Sequence, residues 1–389
     1  MKSSCPSVVL IFTALFLSCF AKAGEAPYWL KEYSEVYRES PIEASRLWFK
    51  DAKMGMFVHY NAVSVLEHGS RDYKLWRHGN ADDRILAYAG ISREAYEAAE
   101  DKEALLFTKF EAGNFDADKI CQLAVQSKMK YVTFTAHHFN CLFDSKVFTV
   151  NSVRSPCGRD LVAEMVAACR KYNLAPFLYL NPNYADPASE GREQYLAAIK
   201  EVLTNYGDIA GIWFDGDRGK EETNRFIKEL QPHCLVSFKL GKHGCSEDYL
   251  SPEFFFFPFD YKMQTEGQEV RFKARRKRWE TQEQHVWEEC NQFKLREVCN
   301  TMQNAKWRDW DTECLGWITD TEAKYISGED AYFWLTYSRY CGANLLMSIA
   351  PRPDGSIHPE EEQGLVELTQ LIDSKGWPPV VHPVPEKVK

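Results

Sequence analysis

Short apolar runs in this chain end, again and again, on a polar side chain. Met56-Phe57-Val58 runs into His59, Tyr131-Val132-Thr133-Phe134-Thr135-Ala136 into His137-His138, and Ile209-Ala210-Gly211-Ile212-Trp213-Phe214 into Asp215. Runs of this length and apolar density are what strands buried on both faces look like. If they lie parallel in one sheet, their polar ends meet at one rim. Barrels of alternating strands and helices carry their reactive groups at that C-terminal rim. The pattern reads as a barrel enzyme and not as a binding module.

The alternation continues along the chain. Ala175-Pro176-Phe177-Leu178-Tyr179-Leu180, leading to Asn181, predicts a third strand, with 209–214 the fourth and 234–240 the fifth. Between them, helical spacing of apolar residues marks 116–128, 159–172, 192–205 and 221–230, the last followed by Pro232. Strand and helix in turn predict a parallel sheet with crossover helices. A helix over 28–50 precedes the first strand, and the polar stretch 67–102 predicts short helices over the mouth. Beyond Leu240 the periodicity weakens. Within the aromatic, charged stretch 249–310, Phe254 to Phe257 fits either core or pocket lip, and 282–300 reads as a helical excursion. Arg275-Arg276-Lys277-Arg278 has acidic neighbours and reads as a solvated loop. A helix over 328–340, a closing strand over 343–350, a last helix over 359–374 and a Pro-rich tail or strap from Trp377 to Pro385 complete the chain.

The 389 residues, 45% of them hydrophobic, suffice for one large core. The expected fold class is α/β: a (β/α)8 TIM-like barrel over 24–376, regular or irregular, with a long inserted segment, and a tail over 377–389. A net charge of -9 spread over both signs argues against a nucleic-acid partner. Residues 1–23 read as a signal peptide: Lys2 supplies positive charge, 8–20 is mostly apolar, and Ala21-Lys22-Ala23 is a small-x-small cleavage site. That apolar run is too short to span a bilayer, and lipidation at Cys19 is the lesser reading. The mature protein is expected to be secreted or periplasmic, with no integral membrane span. Ten of the twelve cysteines lie beyond Cys19; in an oxidising compartment some are expected to pair. Without a CxxC pair a thiolate zinc site is not expected.

Asp215 is the sharpest chemical candidate, a carboxylate at a strand end followed by Gly216, with Asp217 weaker in the turn. Against it stands a helix cap or a structural ion pair. Glycosidic bond cleavage needs a second carboxyl: one group attacks or activates water, the other protonates the leaving oxygen. Glu253, after Ser251-Pro252, leads, with Glu280 and Glu313 as rivals. His59, His137 and His138 suit sugar hydroxyls, because a neutral imidazole both donates and accepts. Adjacent strand residues face opposite ways, so one of the histidine pair is expected in the core unless both lie beyond the regular strand. Among Trp76, Tyr179, Trp213, Phe214, Trp310 and Trp317 some must be core and others are candidate pocket walls, with Trp76 at the lip, and Lys239 can hold a substrate oxygen or neutralise Asp215. No GxGxxG, P-loop, GxSxG or HExxH motif occurs, and neither cofactor nor metal is expected.

At these residues the chain resembles the alpha-L-fucosidases of glycoside hydrolase family 29, from about Arg46 to Gly376. Trp48 to His59 looks like the family's opening strand, with Tyr60 in place of a common Trp. Lys130 to Asn140 resembles its paired-histidine strand, with Phe139-Asn140 in place of Asp-Gly, and Asp144-Ser145-Lys146 continues it. Gly211-Ile212-Trp213-Phe214-Asp215-Gly216 resembles the nucleophile motif, and Ser251-Pro252-Glu253 a Thr-Pro/Ala-Glu position that supplies the acid/base in part of the family. Trp310-Asp311-Thr312 resembles a Trp-Glu-Thr segment. Gly342 to Pro351 and Asp354-Gly355 look like the late strand and turn. Lys239 stands where a substrate-binding Arg is frequent.

The resemblance implies an exo-acting, retaining alpha-L-fucosidase. Asp215 would be the nucleophile, Glu253 the acid/base and His59 a sugar ligand, acting on fucosylated or related oligosaccharides. Many relatives carry a C-terminal β-sandwich, which this chain is expected to lack; the charged segment after Glu253 is a candidate substitute. The alternatives are a related glycosidase of other specificity, such as a galactosidase, a non-catalytic glycan-binding barrel, and a metal-dependent hydrolase. The separation of the Asp215 and Glu253 carboxyls bears on the mechanism: roughly 5–5.5 Å for a retaining pair, roughly 6.5–9.5 Å for an inverting one.

Overall fold

Ser40 starts the helix that closes one end of the molecule. Its hydroxyl accepts the Glu43 N–H at the N-terminus of helix Pro41–Ala52, and Pro41 fills a first-turn position that needs no N–H partner. The predicted 28–50 helix is therefore broken into a 3-10 turn Tyr28–Tyr33, a short helix Ser34–Glu39 and this longer one. Trp48 and Phe49 turn into the barrel end: Trp48 stacks on Phe177 at 6.3 Å, and Phe49 lies 5.7 Å from Tyr131 and 4.7 Å from Tyr249. The computed structural model describes residues 25–138, 140–181, 189–216, 221–239, 246–304 and 316–385. The expected signal peptide lies outside them.

The sheet has eight strands: β1 (Met54–Val58), β2 (Tyr131–His137), β3 (Ala175–Leu180), β4 (Gly211–Phe214), β5 (Leu235–Ser237), β6 (Tyr249–Leu250), β7 (Leu295–Thr301) and β10 (Asn344–Ile349). A separate ribbon pairs β8 (Gln303–Asn304) with β9 (Lys324–Tyr325). The order is β5-β4-β3-β2-β1-β10-β7-β6, with every pairing parallel. The last strand closes onto the first: Met54 to Val58 align with Leu345 to Ile349. Between β5 and β6 the join is thin. Among the described residues it rests on the backbone bonds Asp248 N to Val236 O and Ser251 N to Lys239 O, both 2.8 Å, and on the Val236 N–H donating to the Asp248 carboxylate at 2.9 Å. The result is a nearly closed (β/α)8 barrel.

Side chains from alternate strand positions fill the interior, among them Phe57, Tyr131, Phe177, Tyr179, Trp213, Tyr249 and Leu346. Two glycines make room for this aromatic packing. A Cβ on Gly55 would stand 2.3 Å from the Tyr131 ring, and one on Gly211 2.2 Å from Phe177. Outside, the crossover helices begin on capping carboxylates: Asp116 accepts the Lys119 N–H and Asp160 the Ala163 N–H. The polar stretch after β1 forms the short helices Gly69–Arg77, Asp83–Ala89, Arg93–Ala98 and Lys102–Phe107. No described helix is long and apolar enough to cross a membrane.

Two expectations need correction. The stretch 282–300 is only briefly helical (Gln284–Glu289), and its end is barrel strand β7. The basic tetrad 275–278 is not a loop. It lies inside helix Glu266–Gln282, which a Thr265–Gln268 capping box starts, and Arg276 pairs there with Asp260 and Glu280. Of the described cysteines, Cys290 is disulfide-bonded, in line with the expectation that some pair, whereas 121, 141, 157, 169, 234, 299 and 341 are free and buried. The Pro-rich end acts as a strap. The His382 N–H bonds to Tyr340 O, its ring stacks on Phe259 at 4.5 Å, and its carbonyl accepts from Arg296.

Candidate active site

Asp215 sits one residue past β4, its N–H bonded to Leu180 O at the end of β3. Gly216 follows at φ 150, a backbone setting that glycine takes freely, and the chain turns away. The Asp215 carboxylate accepts the Tyr179 hydroxyl at 2.7 Å on one oxygen and the Lys239 ammonium at 2.6 Å on the other. Lys239 Nζ also lies 2.5 Å from Glu253 Oε1. Two oxygens touching one ammonium are no farther apart than those two contacts end to end, about 5.1 Å. Burial alone would raise the Asp215 carboxyl. Lys239 and His138, with the Tyr179 hydroxyl, outweigh it and hold the group well below the usual carboxylate range. Burial likewise pulls the Lys239 ammonium down, and Asp215 and Glu253 together push it above its ordinary value.

Backbone conformation sets this group up. Lys239 and Phe254 have φ of 61 and 62, the left-handed region that non-glycine residues rarely occupy. Glu253 is pinned on both sides by β7: Phe254 N donates to Cys299 O, and Cys299 N to Pro252 O. The insertion braces the same place. Arg271 lies over the Phe254 ring at 4.7 Å, and Phe272 packs on Phe255 and Phe257 at 5.4 and 5.1 Å. Phe255, Phe256 and Phe257 are core, which settles the earlier choice between core and lip for those three.

The paired histidines part company at an irregularity. The β2–β3 register is Thr135↔Tyr179 and then His137↔Leu180, so one residue of β2 is extra there. His138 turns inward, its ring 4.9 Å from Tyr179 and 5.7 Å from His59. His137 turns out and stacks flat on Phe148 at 4.4 Å. The structure thus brings His138 to Asp215 and does not bring His137. His59 Nδ1 meets Ser348 Oγ at 2.8 Å, and its ring lies 4.8 Å from Trp317. Burial keeps both inward imidazoles deprotonated: His138 is pushed down to about 4, and His59, with His138 beside it, well below its ordinary value. The Asn61 amide approaches His138 Nδ1 at 3.4 Å, which leaves Nε2 as the donor.

Trp213 stacks on Tyr179 at 5.2 Å and forms the floor below Asp215. Trp76 is elsewhere. It is fully buried in the helical cap, its indole N–H bonded to Lys102 O and its ring against Tyr96, and it is not at the lip. The stretch is polar, but Tyr73 and Trp76, three residues apart, share the buried face of an amphipathic helix. Glu280 is half-exposed on the inserted helix and paired with Arg276, away from Asp215. Trp310, Glu313 and Asp217 lie outside the described residues. Trp317, one of the aromatic candidates for a wall, joins the site, and Asn61 and Ser348 join it without having been singled out. Ser348 was legible in retrospect, because β10 neighbours β1 and its end meets His59. Among the described residues, groups with metal-ligand spacing are Glu67, His68 and Asp72, and His68, Asp320 and Glu322, not the inward histidines.

An eight-stranded parallel barrel with a carboxylate pair, a bridging ammonium and neutral histidines at one rim is the frame of a barrel glycoside hydrolase. The alpha-L-fucosidase family profile matches residues 29–376, and the chain belongs to that family. Tissue alpha-L-fucosidase of Rattus norvegicus is 30% identical over 399 residues, 93% of this chain and 75% of the relative. Alpha-L-fucosidase 1 of Arabidopsis thaliana is 31% identical over a shorter stretch, 34% of this chain and 30% of the plant protein. With the alpha-L-fucosidase of Dictyostelium discoideum the match likewise spans less than half of the relative, 48%. Among solved structures, alpha-L-fucosidase AlfC from Lactobacillus casei, in complex with alpha-L-fucose product, superposes with a TM-score of 0.61 at 22% identity. That match covers 85% of this chain and 98% of AlfC.

Proposed function

We propose that the protein is an exported exo-glycosidase that hydrolyses terminal alpha-L-fucosyl residues from glycans with retention of configuration. Asp215 attacks the anomeric carbon and the glycosidic C–O bond breaks. Glu253 gives its proton to the departing oxygen. Glu253 then takes a proton from water, whose oxygen attacks the same carbon and releases Asp215. Lys239 keeps Asp215 ionised, and a substrate entering between the two carboxyls takes Glu253 away from the ammonium. His59 and His138, both neutral, hold sugar hydroxyls, while Trp317, Tyr179 and Trp213 offer apolar faces to the ring and its methyl group.

The observation that carries this reading is the shared ammonium. It keeps the nearest oxygens of the two carboxylates no more than about 5.1 Å apart, short of the roughly 6.5–9.5 Å of an inverting pair. Family membership and the fucose-bound neighbour support the choice of sugar. Turnover of a panel of aryl glycosides is the test, with the first-formed sugar read by proton NMR. We expect preferred cleavage of the alpha-L-fucoside and alpha-fucose as first product. Asp215→Ala should lower kcat by at least about a thousandfold, and azide should restore turnover as a fucosyl azide. A preference for another glycoside, such as a galactoside, would move the specificity. First-formed beta-fucose would end the retaining mechanism. Export rests on the leader at 1–23, and a mature N-terminus at Gly24 in exported material is the expected mass-spectrometric result.

A further inference from the structure

Glu297 lies on β7, directly beneath the group just described, and no step proposed above uses it. It is 1% exposed. Its carboxyl takes the Ser251 hydroxyl at 2.6 Å on Oε1 and the Tyr131 hydroxyl on Oε2, with the Trp213 indole beside them. These contacts join three parts of the site. Ser251 is two residues before Glu253, and its N–H is bonded to Lys239 O across the β5–β6 join. Trp213 is two residues before Asp215. Two residues along β7 from Glu297, Cys299 holds the backbone on both sides of Glu253.

We propose that Glu297 is a positioning residue that sets the reach of Glu253 toward the leaving-group oxygen by anchoring Ser251 to the strand that also clamps Pro252 and Phe254. The inference rests on the acid/base reading of Glu253. A carboxyl this deep is expensive unless neutral or well bonded. Burial pushes this one up to about 7, against the opposing pull of its hydroxyl and indole contacts, so it carries its proton in mildly acid solution. The titratable groups facing it, Tyr131 from β2, Tyr249 from β6 and Cys299 from β7, are all pushed up by burial and neutral there. The anchor is thus a neutral unit in which one carboxyl oxygen accepts a hydroxyl and the other carries the proton and donates it; an amide keeps that pairing but brings a second N–H into the buried site.

The test uses leaving groups. Protonation of the departing oxygen matters little for a 2,4-dinitrophenyl fucoside and much for a methyl or sugar aglycone. Glu297→Gln should keep the wild-type melting temperature at pH 5 within a few degrees. It should lose about ten- to a hundredfold in kcat/KM, which reads the bond-breaking step alone, on the poor leaving group and little on the activated one. Ser251→Ala, which leaves Glu297 in place, should show the same split, and it stands in if Glu297→Gln fails to fold. Equal losses on both substrates, or none, would overturn the proposal. Glu253→Gln separates the two ideas. If it shows no leaving-group dependence, the acid/base reading fails first. If it shows the dependence and neither Glu297→Gln nor Ser251→Ala does, only the positioning role fails.

Discussion

Lys239 decides the charge state of the site. Its ammonium is what overcomes burial at Asp215 and keeps a carboxylate ionised far below its ordinary range. Lys239→Ala should therefore raise the Asp215 pKa and, by removing a charge that also holds His138 down, shift the acid limb of the kcat/KM profile upward by about one unit, read between pH 3 and 8. In the wild type that limb should fall near pH 4, where His138 gains a proton beside Lys239. Glu297 acts on stability in the opposite sense. Its folded-state pKa, about 7, is raised above the ordinary 4.5. Its contribution is therefore fully present below about pH 4.5 and lost as pH rises toward 7, on the order of 3 kcal/mol. Thermal melts should show this decline, and Glu297→Gln should flatten it. Asp215, His59 and Lys239 were legible because each ends an apolar run. Glu297 was not, because a buried acid inside a strand looks, in sequence, like a surface residue.

At the scale of elements, β2, β3 and β4 announce themselves as unbroken apolar runs. β7 hides: Leu295-Arg296-Glu297-Val298-Cys299-Asn300-Thr301 has charges that the fold buries, Arg296 against the carbonyls of Cys341 and His382, and Glu297 against hydroxyls. β6 is two residues long, too short for any periodicity. Helix Glu266–Gln282 is polar almost all round, so its basic tetrad carried no helical stripe to read. The register irregularity in β2 is likewise silent in sequence, yet it decides which histidine of the pair faces inward. Trp76 tests how the cap is built. Trp76→Phe removes one buried hydrogen bond and should cost about 1 kcal/mol with KM unchanged; Trp76→Ala should cost about 3–5 kcal/mol. A raised KM with unaltered stability would restore the lip role.

Across the whole molecule, cohesion is uneven. β1 and β10 share five aligned residues, β2 and β3 six, whereas among the described residues β5 and β6 meet through two backbone bonds and the Asp248 carboxylate on the Val236 N–H. One of those backbone bonds joins Ser251 to Lys239, so the staves are held loosely where the reaction would occur. Hydrogen exchange should find the amides of Asp248 and Ser251 opening well before those of β1 or β10. A hoop with one soft stave yields there first, so warmth or denaturant would silence turnover while most of the barrel still stood. A ligand gripping both Lys239 and Glu253 would act as a rivet across that gap and lift the melting temperature of the entire chain.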